Sequence, residues 1–251
     1  AETITRLQDY QEEAVAQRAK RGLIQGGAIY LDDYVNAIYR REPVAQAKHG
    51  TWARIVKAFR RHVAQDVDTG HAVTCPLGRS DVTPLIVLQQ VVRVVQGGLA
   101  RAGLGQQLDL VIVDRWWSVK SVFGWGLDRL KVLVWGKNVK PVRQALAEVS
   151  EEELKKHPIT APGRDTVTGQ VEEKVVGYRL DTDLSLYELD QPVRGVVDWD
   201  GQPGSPKRVR LAVGIGPDEM NTQAIVDGLR FRLPDQLGLL QFNDALARAV
   251  D

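Results

Sequence analysis

The stretch Leu108–Val113 (LDLVIV) is apolar at every position but Asp109, and it stops abruptly at Asp114. A run this short and this apolar, followed by a carboxylate, reads as a strand buried in the centre of a sheet. Such a strand needs cover from elements packed on the sheet, and the neighbouring sequence supplies them. Thr83-Pro84 opens a helix by the cap and first-turn proline rule, its apolar residues run to about Ala102, and Gly103 and Gly105 end it. A helix is expected around Val119–Leu130, and a further apolar strand at Lys131–Trp135.

Upstream, residues 2–21 combine helix formers with Ile4, Leu7, Tyr10 and Ala14 at helical spacing, before Gly22, Gly26 and Gly27 break the pattern. Ala28–Val35 (AIYLDDYV) reads as a strand with acidic residues at or near its end. A second strand is expected at Arg61–Val67, turning through Asp68, Thr69 and Gly70 into Ala72–Leu77. These three form an antiparallel meander with an excursion between the first two strands.

Beyond Gly136 the texture changes. Residues 137–206 are rich in Pro, Gly and charge, with a helix start at Ser150 and strand-like runs at Val171–Leu180, Leu184–Leu189 and Val193–Trp199. Val209–Ile215 returns to a buried-strand texture, and the chain from Asn221 looks helical, with Pro234 interrupting or restarting the helix. The expected organisation is a core made of residues 1–136 and 207–251, with residues 137–206 as an inserted, mainly β subdomain. Antiparallel strands first and alternating strands and helices later indicate an α/β fold: a mixed sheet flanked by helices.

Composition narrows the function. The formal net charge of +1 gives no overall basic field, so nucleic-acid binding rests on local clustering. Cys75 is the single cysteine, which excludes an internal disulfide and a cysteine-based zinc site and fits a reducing interior. No apolar run approaches the ~20 residues of a membrane-spanning helix, and the first residues are too polar for a signal peptide.

Asp32 and Asp114 each follow an apolar strand. A carboxylate there is held rigidly yet reaches the sheet edge, where oxygen-seeking Mg²⁺ takes one or two protein carboxylates. Two such ions about 3.5–4 Å apart serve phosphoryl transfer. The competing reading of each residue is a turn former or helix cap. Arg54, Lys57, Arg60 and Arg61, with Trp52 and Phe59 interleaved, fit a DNA-backbone track or a solvated face. Trp116, Trp117, Trp125 and Trp135 fit base stacking or core packing. His49, His62, His71 and His157 show no metal-ligand spacing, and Gly214-Ile215-Gly216 is too short for a phosphate loop.

Three segments in order carry a resemblance: Tyr30–Tyr34 (YLDDY), His62–Val73 (HVAQDVDTGHAV) and Val111–Ser118 (VIVDRWWS), followed by Val132–Trp135 with Gly136 and Lys137. The chain resembles the DDE-type transposases of bacterial and archaeal insertion sequences, from about residue 24 to 137 and again near Lys207. The resemblance implies an RNase H-like fold that cuts and joins DNA with two divalent metals, Mg²⁺ or Mn²⁺, held by Asp, Asp and Glu. The first Asp falls on Asp32, with Asp33 as competitor, and the second on Asp114. At the spacing of the Glu stands Gln236; Asp235, one residue away, and Glu219 upstream are the alternatives. Arg232 or Arg230 stands for the family's arginine, Asn243 at the position of its lysine, and Arg115 is a phosphate-contact candidate. The implied partners are double-stranded transposon-end and target DNA and a second copy in a synaptic dimer, in the cytoplasm with the nucleoid. The alternative is a catalytically inactive or domesticated descendant that binds DNA or protein.

Overall fold

The computed structural model describes residues 2–39, 44–48, 54–79, 81–136, 139–164, 171–199, 210–217 and 220. The chain opens with helix α1 (Glu2–Lys20), followed by strands β1 (Ala28–Ala37), β2 (Gln46–Lys48), β3 (Ile55–Asp66), β4 (Ala72–Thr74) and β5 (Leu77–Arg79). Helix α2 (Pro84–Ala102), strand β6 (Leu110–Val113), a 3₁₀ turn (Arg115–Trp117), helix α3 (Lys120–Leu127) and strand β7 (Lys131–Trp135) come next. Then follow helices α4 (Lys140–Glu148) and α5 (Glu151–Lys155) and strands β8 (Pro158–Arg164), β9 (Val171–Leu184), β10 (Val193–Trp199) and β11 (Arg210–Ile215).

The strands form one mixed sheet in the order β2-β3-β1-β6-β7-β11-β10-β9-β8, with β4 and β5 also paired to β3. β1, β6 and β7 run parallel at its centre; β3 is antiparallel to β1, and β11 is antiparallel to β7 and β10. This is the mixed α/β sheet with flanking helices expected from the sequence. Among the described residues, strands β8, β9 and β10 join that sheet through β11.

Alternation along the strands divides the core by face. On one face Ile29, Leu31, Ala64, Val111, Val113, Val132 and Val134 pack with apolar residues of α1, α2 and α3. On the other, Tyr30, Val63, Ile112, Leu133, Val196 and Ala212 cluster with Met220. Helix α2 starts and stops where expected: a proline lies in its first turn, Thr83 ahead of it has extended backbone, and Gly103 closes it at φ 70°. Its glycines bring α1 close. A Cβ on Gly98 would stand 2.5 Å from the Val15 Cβ, a separation that only glycine tolerates.

Several expectations change. The buried side of α1 carries Val15, Ala16 and Ala19, whereas Leu7 and Tyr10 are exposed, because the contact with α2 selects small side chains. β1 does not end at its acids but runs to Ala37, because β3 stays paired with it after β6 has stopped. The run Leu184–Leu189 is not a strand: beyond Leu184 it forms a loop in which Tyr187 and Glu188 adopt φ 56° and 54°. β8 and α4 had no counterpart in the sequence reading, whereas α5 starts on the expected Ser150, whose side chain accepts from the Glu153 N–H. The helix expected from Asn221 lies outside the described residues.

Candidate metal centre at the end of the parallel strands

β1 and β6 are paired in parallel up to Leu31 opposite Val113, and β6 and β7 up to Val113 opposite Val134. One position further along lie Asp32, Asp114 and Trp135. Asp114 keeps extended backbone (φ −77°, ψ 172°), so its side chain follows the alternation of the strand before it. Asp32 and Asp114 therefore stand on the same face, opposite the helices, on neighbouring strands whose usual separation is about 4.8 Å. Val63 is paired with Asp32, and Ala212 with Trp135, which completes the row.

The strands part at this row. β6 breaks into the 3₁₀ turn, with the Trp117 N–H donating to the Asp114 carbonyl at 3.1 Å, while β1 continues along β3. A crevice at the carboxyl ends of parallel strands is the usual ligand position in open α/β sheets. The Asp32 carboxylate accepts from the Asp33 N–H at 2.8 Å through one oxygen and from the Tyr34 hydroxyl at 3.2 Å through the other. The Asp114 side chain is a quarter exposed, with Arg115 Nε 3.9 Å from its Oδ1.

Asp33 points the other way. It pairs with Arg60 and lies 3.3 Å from His62 Nδ1, in a site where His62 is almost fully buried. His62 stacks on Trp116 at 5.6 Å between ring centroids, and Trp116 meets Trp117 edge-on at 4.8 Å. The two consecutive acids are thus separated by the sheet: Asp33 belongs to a packed Arg–His–Trp cluster, and Asp32 shares the open row with Asp114.

The other candidates divide in the same way. On β3 the residues Ile55, Lys57, Phe59, Arg61 and Val63 alternate onto the Asp32 face, and the Arg61 guanidinium lies 5.8 Å from the Tyr34 ring centroid. Arg60 faces the helices. Arg54 precedes β3 and is exposed, as is Arg115. Trp117 is fully buried, and Trp116 and Trp125 pack against the helix-side core, while Trp135 packs against the opposite cluster. Asp235, Arg232, Gln236, Glu219, Arg230 and Asn243 lie outside the described residues. Among the described residues, no three His, Cys, Asp or Glu side chains form a metal-holding group. Asp32 and Asp114 share one face at the strand ends, and carboxylate oxygens are the ligand type that Mg²⁺ prefers, taking one or two of them and filling its remaining positions with water or phosphate oxygens.

Two residues at the site escape a reading of the sequence for acids. Tyr34 was recoverable, since it lies two positions after Asp32 on the same strand face. Tyr187, whose hydroxyl meets Ser118 after the Asp114 turn, comes from a chain position 69 residues away and carries no local signal.

No family model matches the chain, and no curated protein does. Among solved structures it is similar to a piggyBac transposase in a synaptic complex with hairpin DNA. The identity is 12%, the TM-score 0.49, and the match covers 86% of this chain and 40% of that one.

Proposed function

We propose that the chain is the catalytic core of a DDE-type DNA transposase, cleaving phosphodiesters at transposon ends and joining the freed ends to target DNA. The observation that carries this reading is the shared face of Asp32 and Asp114, one position past the last paired residues of two adjacent parallel strands. Carboxylates on one face at the ends of neighbouring parallel strands are the ligand type that a divalent cation such as Mg²⁺ would take.

In this reading Asp32 and Asp114 hold Mg²⁺ or Mn²⁺, with Asp235 as the third acid. The bound ions supply nucleophile activation and charge neutralisation for in-line displacement at phosphorus. Tyr34 orients the Asp32 carboxylate through its hydroxyl. Lys57 and Arg61 on the same face, with Arg54, Arg115 and Arg232, contact phosphates of double-stranded DNA. Arg60 is assigned to Asp33 instead. Residues 1–136 and 207–251 form the core and 137–206 the insertion; the working unit is a synaptic homodimer acting on cytoplasmic, nucleoid-associated DNA.

A second reading has one observation in its favour: Gln236 stands at the spacing of the family's Glu and has no anionic oxygen to offer. A descendant that binds DNA without cutting it would carry such a change.

The test is nicking of DNA bearing the element's terminal sequence, in Mg²⁺ or Mn²⁺, by the full chain and by Asp32→Asn and Asp114→Asn. Activity abolished by both substitutions supports the transposase reading, and equal activity in all three removes both residues from the mechanism. DNA binding without cleavage, with cleavage gained in Gln236→Glu, supports the descendant.

A further inference from the structure

Tyr187 and Glu188, in the loop between β9 and β10, are the only non-glycine residues with positive φ among the described residues. L-residues are sterically disfavoured there, and two in succession persist only where surrounding contacts over-determine them. The contacts are specific. Leu186 is buried, and the Leu189 N–H closes the turn onto the Leu186 carbonyl at 3.2 Å. The Tyr187 ring lies 5.0 Å from that of Phe123 on α3. Its hydroxyl donates to the Ser118 carbonyl at 2.7 Å and lies 3.1 Å from the Ser118 Oγ.

Ser118 is a sensitive place for such a bond. It is almost fully buried and ends the turn that starts at Asp114, its N–H donating to the Arg115 carbonyl at 3.1 Å. Immediately after it, the Val119 carbonyl accepts the first bonds of α3, from the Val122 and Phe123 N–H groups. The segment from Asp114 to Val119 is therefore a short rigid link between the end of β6 and a helix. A bond to its far end fixes the direction in which its near end leaves the sheet. Ring packing alone asks only for a phenyl group; the left-handed turn additionally aims a hydroxyl at one backbone oxygen.

We infer that Tyr187 is a positioning residue for Asp114: the β9–β10 loop pins Ser118 and thereby sets where the Asp114 carboxylate stands relative to Asp32. The inference rests on the proposed metal role of that pair. It makes the strand pair β9–β10 a part of the reaction centre although it supplies no ligand.

The experiment is Mn²⁺ titration of the full chain, followed by water-proton relaxation, on wild type, Tyr187→Phe, Glu188→Gly and Asp114→Asn, with thermal melts of each. Tyr187→Phe keeps the ring against Phe123 and removes only the hydroxyl. Loss of an outer contact that orients a ligand typically costs about 10–100-fold in metal affinity or activity, and about tenfold weaker Mn²⁺ binding is expected here. On terminal-sequence DNA, kcat falls by a similar factor with KM unchanged. Glu188→Gly relaxes the backbone, retains the hydroxyl and binds Mn²⁺ as wild type does. A lowered melting temperature with wild-type Mn²⁺ affinity in Tyr187→Phe overturns the inference, as does weakened binding in Glu188→Gly. Unchanged Mn²⁺ binding in Asp114→Asn overturns the metal role of Asp114 itself; loss there beside wild-type Tyr187→Phe overturns the positioning role alone.

Discussion

The Arg60 guanidinium lies 4.4 Å from the ring centroid of Trp116, and the same group pairs with Asp33. Through it, β3 is bonded to β1 and stacked on the turn that follows Asp114. The side chains of Arg60 and Asp33 are only 12% and 10% exposed, so the pair is shielded from the screening that weakens surface ion pairs. Removing one partner of a buried pair strands the other, at a cost of several kcal/mol. Arg60→Ala is expected to lower unfolding free energy by about 3 kcal/mol in urea titration. Arg60→Lys retains the charge but not the planar stacking group, and it should recover only part of that loss.

Asp32 and Asp33 are neighbours in sequence with opposite surroundings, which predicts a double dissociation. Asp33→Asn weakens the bond to Arg60 and is expected to cost about 2 kcal/mol of stability while Mn²⁺ binding persists. Asp32→Asn leaves the Arg60 cluster intact, so its urea midpoint stays near wild type. Its Mn²⁺ affinity and nicking rate should fall by about 100-fold or more, as loss of several kcal/mol of charge stabilisation implies. Equilibrium unfolding and metal titration on the same two preparations check both halves.

The contrast between these acids also shows how far sequence reaches. LVIV before Asp114 announced a central strand because a segment apolar on both faces has few other places to go. Thr83-Pro84 and Gly103 marked α2 because their backbone preferences are local. The end of β1 was not legible, since Asp32 and Asp33 read as the polar end of the strand while a neighbour far along the chain holds it extended to Ala37. That Asp32 and Asp114 come to lie on one face of the sheet depends on strand register, and register is a tertiary property. In Leu184–Leu189 the apolar alternation suggested a strand, but the Ser118 and Phe123 contacts hold Tyr187 in a left-handed turn.

Asp66, in the stretch preceding the Asp68–Gly70 turn, is fully buried and ties that turn to the segment between α1 and β1. Its Oδ2 accepts from the Gln25 and Gly26 N–H groups at 2.9 and 2.7 Å, and its Oδ1 from the Thr69 N–H and hydroxyl at 2.9 and 3.0 Å. Asp66→Ala leaves three backbone donors without that acceptor, and a loss of about 3 kcal/mol is expected. Amide exchange at Gln25, Gly26 and Thr69 should accelerate, whereas exchange in β7 should follow only the global change in stability.

The basic residues of β3 separate by face in the same manner as the acids of β1. Lys57 and Arg61 lie on the face of Asp32 and Asp114, whereas Arg60 is held by Asp33 behind it. If DNA crosses the carboxylate face, neutralising either forward residue removes about one phosphate contact. Lys57→Ala and Arg61→Ala should each weaken binding of a short duplex and reduce the slope of log affinity against log salt by roughly one. Fluorescence anisotropy across a salt series measures this. An Arg60 variant that remains folded should keep the wild-type slope.

Cys75 is partly buried and packs against the second core cluster, and burial raises its thiol pKa, offset in part by the Arg61 charge. The thiolate is the reactive form, so alkylation by a maleimide at pH 7.5 should be slower than that of a free cysteine. The stability consequence follows from the sign of the shift. A group whose folded pKa lies above its unfolded value, about 8.5 for cysteine, binds more protons in the folded state between the two values. Its contribution is complete below the unfolded pKa and is lost as pH rises through the folded one. The urea midpoint of the wild type is therefore expected to decline above about pH 8.5. Cys75→Ala should remove that part of the decline, and Arg61→Ala should deepen it and extend its upper end to higher pH with the onset unchanged, because the charge that favours the folded-state thiolate is gone.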